Sequence, residues 1–289
     1  MSTLRDLFCR GKEELRQANV PDAEVDAWAL MEFALDIEKS YYYLHENDKI
    51  GNEQKERYEA CIRQRKKRIP LQQITGKAWF MGYEFYVNDQ VLIPRFDTEI
   101  LVEEVGKNLQ PGLRVLDLCT GSGCILLSLL AEHEELSLKG VGADISPEAL
   151  KVAAVNRERL GVEADLVESD LFDNLEGTFD LIVSNPPYIA AGEIAQLMPE
   201  VKEHEPALAL DGGEDGLYFY RKIVKEANYY LNPGGWLCME IGWDQGEKLR
   251  QLMQDAGYTG IRILKDLAGL DRVAVGQKPL SSENEYSGG

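Results

Sequence analysis

The sequence predicts an α/β protein: a doubly wound sheet preceded by a small N-terminal helical bundle and a β-hairpin joint. Three observations carry this. Apolar residues recur at helical spacing up to about residue 75, an aromatic-rich pair of runs flanks Gly82, and short apolar strands then alternate with helices.

In the first part, Leu4, Leu7, Phe8 and Leu15 mark one helix, and Val25, Trp28, Met31 and Leu35 a second. Pro21-Asp22 separates them, with Asp22 as the expected N-cap. A third helix is expected from about Asn52 to Arg68, ending before Pro70. Trp79-Phe80-Met81 and Tyr83–Val87 around Gly82 read as a hairpin joining two domains. Expected strands are Arg114–Leu118, Gly140–Asp144, Ala164–Val167, Phe179–Ser184, Trp236–Ile241 and Arg272–Val275. A helix Asp97–Leu109 is expected before them, and the helices between them include one opening at Ser146-Pro147, Leu217–Leu231 and Gln245–Ala256. The expected division is thus residues 1–75 helical, 76–95 hairpin linker, 96–280 catalytic domain and 281–289 a disordered tail.

Composition sets limits. Over 289 residues, 31 Lys+Arg against 50 Asp+Glu leave a net charge of −19, which repels phosphate backbones and counts against stable nucleic-acid binding. Five scattered cysteines without a CxxC pair, and three isolated histidines, fit neither a disulfide framework nor a metal cluster. The longest apolar stretch, Ile125–Ala131, falls well short of the ~20 residues that span a bilayer. A cytoplasmic monomer that binds no metal and no membrane is the expectation.

Chemistry gathers at the strand ends. Asp117-Leu118-Cys119-Thr120-Gly121-Ser122-Gly123 is a strand followed by a glycine turn and a helix, so a ligand can approach the backbone closely. A dinucleotide fingerprint wants a third glycine, where this chain has Leu126. The turn instead resembles the first motif of Rossmann-like S-adenosylmethionine-dependent methyltransferases, whose cofactor has no pyrophosphate. Asp144, ending the second strand, suits a ribose diol. Asp170 follows the third strand, with Leu171 and Phe172 as candidate walls for an adenine.

Asn185-Pro186-Pro187-Tyr188 follows the fourth strand. An amide or exocyclic amine is a poor nucleophile because its lone pair is delocalised. The Asn185 side-chain oxygen and the Pro186 carbonyl can each accept one N–H of a planar NH₂ group, holding its nitrogen toward a sulfonium methyl. Pro187 offers no competing N–H, and Tyr188 is placed to pack against the planar group. Asn185, Pro186 and Tyr188 are the expected catalytic residues, and catalysis is positioning. Adenine, guanine and glutamine methyltransferases share the motif, so the substrate stays open at this point.

The whole chain narrows it. Ile93-Pro94-Arg95-Phe96-Asp97-Thr98-Glu99 and Glu205–Gly213 with Asp215-Gly216-Leu217 resemble the bacterial release-factor glutamine methyltransferases (the HemK/PrmC family), as does the domain order over residues 1–280. Phe96 and Cys119 depart from the proline and glycine that many members carry. The resemblance implies methylation of the glutamine of the Gly-Gly-Gln motif in class I peptide chain release factors, with S-adenosylmethionine as donor. It implies cofactor contacts from Asp117, Cys119, Thr120, Gly121, Ser122, Gly123, Asp144, Asp170, Leu171 and Asn185. Substrate contacts are implied for Asn185, Pro186, Pro187, Tyr188, Arg95 and Phe96, and substrate recognition for the N-terminal helices. The competing readings are a nucleic-acid amine methyltransferase, disfavoured by charge, and a silent adaptor, disfavoured by the intact turn and Asn185.

Two features carry less. The basic run Arg63–Arg68 reads either as a solvated helix end or as a docking contact for the release factor or ribosomal RNA. Tyr41-Tyr42-Tyr43 reads as helical core rather than a binding stripe.

Overall fold

The computed structural model describes residues 2–107 and 109–280; the expected tail 281–289 lies outside them. Two compact units form. One is the chain up to Lys77 together with Leu197–His204; the other is Ala78–Gln196 with the chain from Glu205 onward.

The first unit contains α1 (Leu4–Gln17), α2 (Ala23–Leu35), α3 (Lys39–His45), α4 (Asn52–Lys66) and α5 (Leu71–Thr75). Thr3 caps α1 in a reciprocal box: its hydroxyl accepts from Asp6 N at 3.1 Å and its own N–H donates to Asp6 Oδ2 at 3.0 Å. Asp22 occupies the N-cap position of α2 but makes no side-chain cap bond. Leu7, Leu15, Leu30, Met31 and Tyr58 form a closed core. Of the three tyrosines, Tyr42 packs edge-on against Phe8 and Trp28, while Tyr41 and Tyr43 are exposed.

The basic run is neither a solvated end nor a free surface as a whole. Arg65 is buried, its Nε donating to Asp26 Oδ2 at 2.6 Å and its Nη2 to Glu200 Oε1 at 2.9 Å. Arg68 grips the same Glu200 through Nε and Nη2, both at 2.6 Å. Lys66 pairs with Glu14. Helical periodicity turns Arg65 inward, and an acid distant in sequence meets it there, which a local reading does not reveal.

The hairpin β1 (Lys77–Phe80) and β2 (Tyr83–Tyr86) follows, and from Ala78 on it belongs to the second unit. Met81 and Gly82 both take positive φ, 50° and 76°, the handedness that suits a two-residue hairpin turn. The chain continues through α6 (Phe96–Gly106), β3 (Arg114–Leu118), α7 (Cys124–Glu132), β4 (Lys139–Asp144), α8 (Pro147–Leu160), β5 (Ala164–Glu168) and β6 (Phe179–Ser184). It passes α9 (Pro199–Lys202), which belongs to the first unit, and finishes with α10 (Tyr218–Tyr230), β7 (Leu231–Glu240), α11 (Gly246–Asp255), β8 (Thr259–Lys265) and β9 (Asp271–Gln277).

The seven strands lie in the order β5-β4-β3-β6-β7-β9-β8. β3 to β7 are parallel, and β9 runs antiparallel to both β7 and β8. Strands β3 and β6 are almost wholly buried, as helices on both faces require. Register puts Leu118 beside Ala143 and Ser184, and Ser184 beside Met239. The loops after β3, β4, β5, β6 and β7 therefore share one edge, and strand order reverses between β3 and β6, where doubly wound sheets bind ligands.

The structure extends the expected elements in two places. β8 was not expected, because an edge strand carrying Gly260, Arg262 and Lys265 lacks an apolar signal. β7 begins at Leu231, five residues before Trp236, through an Asn232-Pro233-Gly234-Gly235 run that reads as a turn; the β6–β7 ladder shifts register there. Among the described residues no helix is long and apolar enough to cross a membrane.

Candidate active site

A cavity of about 480 Å³ opens at the shared edge of the second unit. Of the residues singled out in the sequence, Cys119, Thr120, Gly121, Ser122, Asp144, Asp170 and Leu171 line it. So do Asn185, Pro187, Arg95 and Thr98, whereas Asp117, Gly123, Pro186, Tyr188 and Phe96 do not. A larger groove of about 840 Å³, bordered by α8 and β5, contains none of them.

The turn after β3 curls because Cys119, Gly121 and Gly123 take φ of 59°, 56° and 80°. Cys119 thus departs from glycine at a left-handed position, where its side chain is strained. Gly121 donates its N–H to Asp144 Oδ2 at 2.8 Å, and a Cβ built on it would meet nothing within 4 Å. Gly123 serves packing: a Cβ there would lie 2.7 Å from Leu127 Cδ1. Asp117 works beneath the turn. Its Oδ2 accepts from Thr120 Oγ1 at 2.6 Å, its Oδ1 has no hydrogen-bond partner among the described residues, and burial pushes its carboxyl up to about 7.

Asp144 lines the cavity with both oxygens partly engaged, Oδ1 by Ser146 N at 2.9 Å and Oδ2 by Gly121. Each keeps a second lone pair for a ligand hydroxyl. Burial raises its carboxyl above the ordinary range, while those two N–H groups pull it back. Ser146, not Asp144, caps α8, accepting from Ala149 N at 3.2 Å. Phe172 is not a cavity wall: it is buried in the sheet core and stacked on Tyr230. Leu171, with φ of 51°, supplies the apolar surface instead.

The Asn185–Tyr188 loop is clamped by backbone. Ile189 N donates to Leu210 O at 3.1 Å, Gly212 N to Ile189 O at 2.8 Å and Ala191 N to Gly213 O at 2.9 Å. Gln245 closes the other side, its Nε2 donating to Tyr188 O at 3.1 Å and Gly216 O at 3.3 Å. This explains the glycines of the 211–217 segment. A Cβ on Gly212 would lie 2.7 Å from Tyr188 Cα, a backbone atom that cannot yield cheaply. Gly212→Ala is therefore expected to displace the loop and reduce turnover while leaving the fold intact. Unchanged kinetics would show that the close approach is dispensable.

Sequence reasoning missed Glu240, the last residue of β7. It is buried, and accepts from Thr98 Oγ1 at 2.5 Å and from the Tyr188 hydroxyl at 3.2 Å. Burial raises its carboxyl; Thr98, Arg272 and Tyr188 act in the opposite direction. Thr98 in turn accepts from Asn185 Nδ2 over a long 3.4 Å. Tyr188 is thereby directed at Glu240, not at the cavity as its place in the motif suggested. The legible signal was an acid at the end of an apolar strand on the ligand-binding edge. Arg95 pairs with Glu205, whose side chain is almost fully enclosed, at 2.6 and 2.8 Å. Phe96 is 76% exposed. Glu99, beyond its favourable first-turn position, accepts from Met81 N at 2.7 Å and fastens the hairpin turn. Among the described residues no group of three or more His, Cys, Asp or Glu gathers as a metal site.

Residues 6–76 match the PrmC N-terminal domain family, and residues 95–214 match the methyltransferase small domain family. The chain is 39% identical over 276 residues to the release factor glutamine methyltransferase of Geobacter sulfurreducens, covering 95% of this chain and 96% of that protein. It is 42% identical over 267 residues to the corresponding enzyme of Cereibacter sphaeroides, covering 92% and 95%. A methyltransferase from Pyrococcus furiosus shares the fold, with a TM-score of 0.53 at 21% identity over 69% of this chain and 90% of that one. Relatives this similar span both units, and the chain belongs to the release factor glutamine methyltransferase family.

Proposed function

We propose that this protein transfers the methyl group of S-adenosylmethionine to the side-chain amide nitrogen of the glutamine in the Gly-Gly-Gln motif of class I peptide chain release factors. The observation that carries the reading is the Asn185 amide at the cavity wall, with its nitrogen turned to Thr98 and its oxygen therefore turned away, as an acceptor for a substrate N–H. The names of the near full-length relatives support the choice of glutamine over a nucleic-acid base.

The cavity residues fit the cofactor. The open space over Gly121 lets a ligand lie against the turn, and Asp144 keeps a lone pair on each oxygen for the ribose hydroxyls. Leu171 offers an apolar wall for the adenine, with Asp170 beside it. When bound, S-adenosylmethionine supplies a methyl group on an already activated sulfonium. Asn185 Oδ1 is assigned one N–H of the substrate amide, and the carbonyl of the adjoining Pro186, outside the cavity lining itself, the other; together they aim its nitrogen. Pro187 stiffens the loop, and Gln245 and the 212–216 backbone hold it in place. The chain thus contributes orientation, worth several orders of magnitude in rate when the reacting atoms are held in line. The surplus proton on the methylated nitrogen passes to solvent.

Arg95 and Phe96 are assigned to the incoming loop of the release factor, and the first unit to recognition of that protein. A cytoplasmic monomer without stable nucleic-acid binding completes the reading, in keeping with the charge of −19.

The test supplies labelled S-adenosylmethionine with purified release factor, with the same factor lacking the glutamine, and with rRNA or DNA. Label is expected on the intact factor alone. Label on nucleic acid, with none on the factor, overturns the reading.

A further inference from the structure

We propose that Thr98, held by Glu240, is a positioning residue that sets which end of the Asn185 amide faces the substrate. The inference rests on the amide-methylation reading above and adds a residue to it.

A side-chain amide has two ends of nearly equal shape and opposite hydrogen-bonding character, and only the oxygen end can accept a substrate N–H. Packing alone cannot choose between them, so a polar neighbour must. Thr98 is that neighbour: it is buried, lines the cavity, and sits 3.4 Å from Asn185 Nδ2. A hydroxyl by itself is ambiguous, since it can donate or accept. Glu240 removes the ambiguity. As a carboxylate, the form that Arg272, Thr98 and Tyr188 favour against burial, it accepts from Thr98 Oγ1 on Oε2 at 2.5 Å and from the Tyr188 hydroxyl on Oε1 at 3.2 Å. The single Thr98 proton is committed to Glu240, which leaves Thr98 only lone pairs to offer Asn185. The amide must then present its NH₂ to Thr98, which leaves its oxygen as the end that accepts a substrate N–H.

The arrangement also links the motif to parts of the chain far away in sequence. Thr98 comes from the first turn of α6, Glu240 from the end of β7, and Asn185 from the loop after β6. Glu240 binds the motif at both ends, through Thr98 to Asn185 and directly to Tyr188. Neither Thr98 nor Glu240 needs to touch the reacting atoms. Their effect runs through Asn185.

The test measures steady-state methylation of the release factor, with S-adenosylmethionine affinity by calorimetry. Thr98→Val, which keeps the shape and removes the hydroxyl, is expected to lower kcat about 10- to 100-fold, the scale of one lost orienting hydrogen bond. Cofactor affinity should stay near that of the unmodified protein. Thr98→Ser, which restores the hydroxyl, should recover most of the rate. In an Asn185→Ala background, Thr98→Val should cause no further loss, because its only route of action is gone. If Thr98→Val does not fold, Thr98→Val with Glu240→Gln removes the unpaired buried charge and carries the same comparison. A full rate in Thr98→Val, no recovery in Thr98→Ser, or losses that multiply in the double variant each overturn the proposal. An unmodified protein that leaves the release factor unlabelled overturns instead the reading beneath it.

Discussion

Asn185→Ala is expected to lower turnover on the release factor by about 10²- to 10³-fold, the cost of removing one preorganised polar group from a reacting centre. Alanine keeps the backbone of the loop, so Gln245 and the 212–216 segment still hold it and the cavity keeps its shape. S-adenosylmethionine affinity should therefore change little, placing the loss in kcat. Asn185→Asp offers a sharper comparison. It keeps an acceptor for the substrate but removes the donor that Thr98 requires, and brings a second carboxyl toward buried Glu240. It should thus recover little of the lost rate. Unchanged turnover in Asn185→Ala would show that the amide-holding model is wrong.

Arg65→Ala is expected to destabilise the first unit by about 3–5 kcal/mol, the penalty for stripping a buried ion pair of one partner. Arg65 satisfies Asp26, Glu200 and the Ile69 carbonyl at once. Without it, Asp26 stays buried, where desolvation already raises its carboxyl, and Glu200 keeps only Arg68. Arg65→Lys should fall between, because a point charge cannot reproduce a three-way fork. Arg63→Ala is the contrast. Arg63 belongs to the same run but is exposed, so its removal should change stability by no more than about 0.5 kcal/mol. Urea midpoints of the three variants decide the matter. Equal midpoints for Arg65→Ala and Arg63→Ala would refute the structural role of the run.

Much of this protein is legible before any coordinates. β3 and β6 occupy the expected spans because a buried parallel strand is a short continuous apolar run bounded by breakers. The hairpin is legible from its aromatic residues and Gly82, and the start of α8 from Ser146-Pro147. The edge strand β8 is not, because half its surface faces solvent and its residues alternate weakly. The site divides in the same way. Asp144 ends a strand, Asn185 follows one directly and Gly121 lies in the turn just after one, so the sheet alone brings them to one edge. Glu240 also ends a strand, but its role depends on Thr98, which lies 142 positions away.

The amino-acid sequence by itself determines the reaction class, through Asn185–Tyr188, and the fold class, through alternating strand and helix periods. Both are local properties, set by bonded geometry and by spacing along one element. Tertiary structure alone decides the partners of the charged and polar groups. It turns Arg65 from a surface cation into a buried brace, sends Tyr188 to Glu240, and sets Thr98 beside Asn185. The physical reason is that a hydrogen bond is specified by where two groups meet, and chain separation says nothing of that until the sheet has closed.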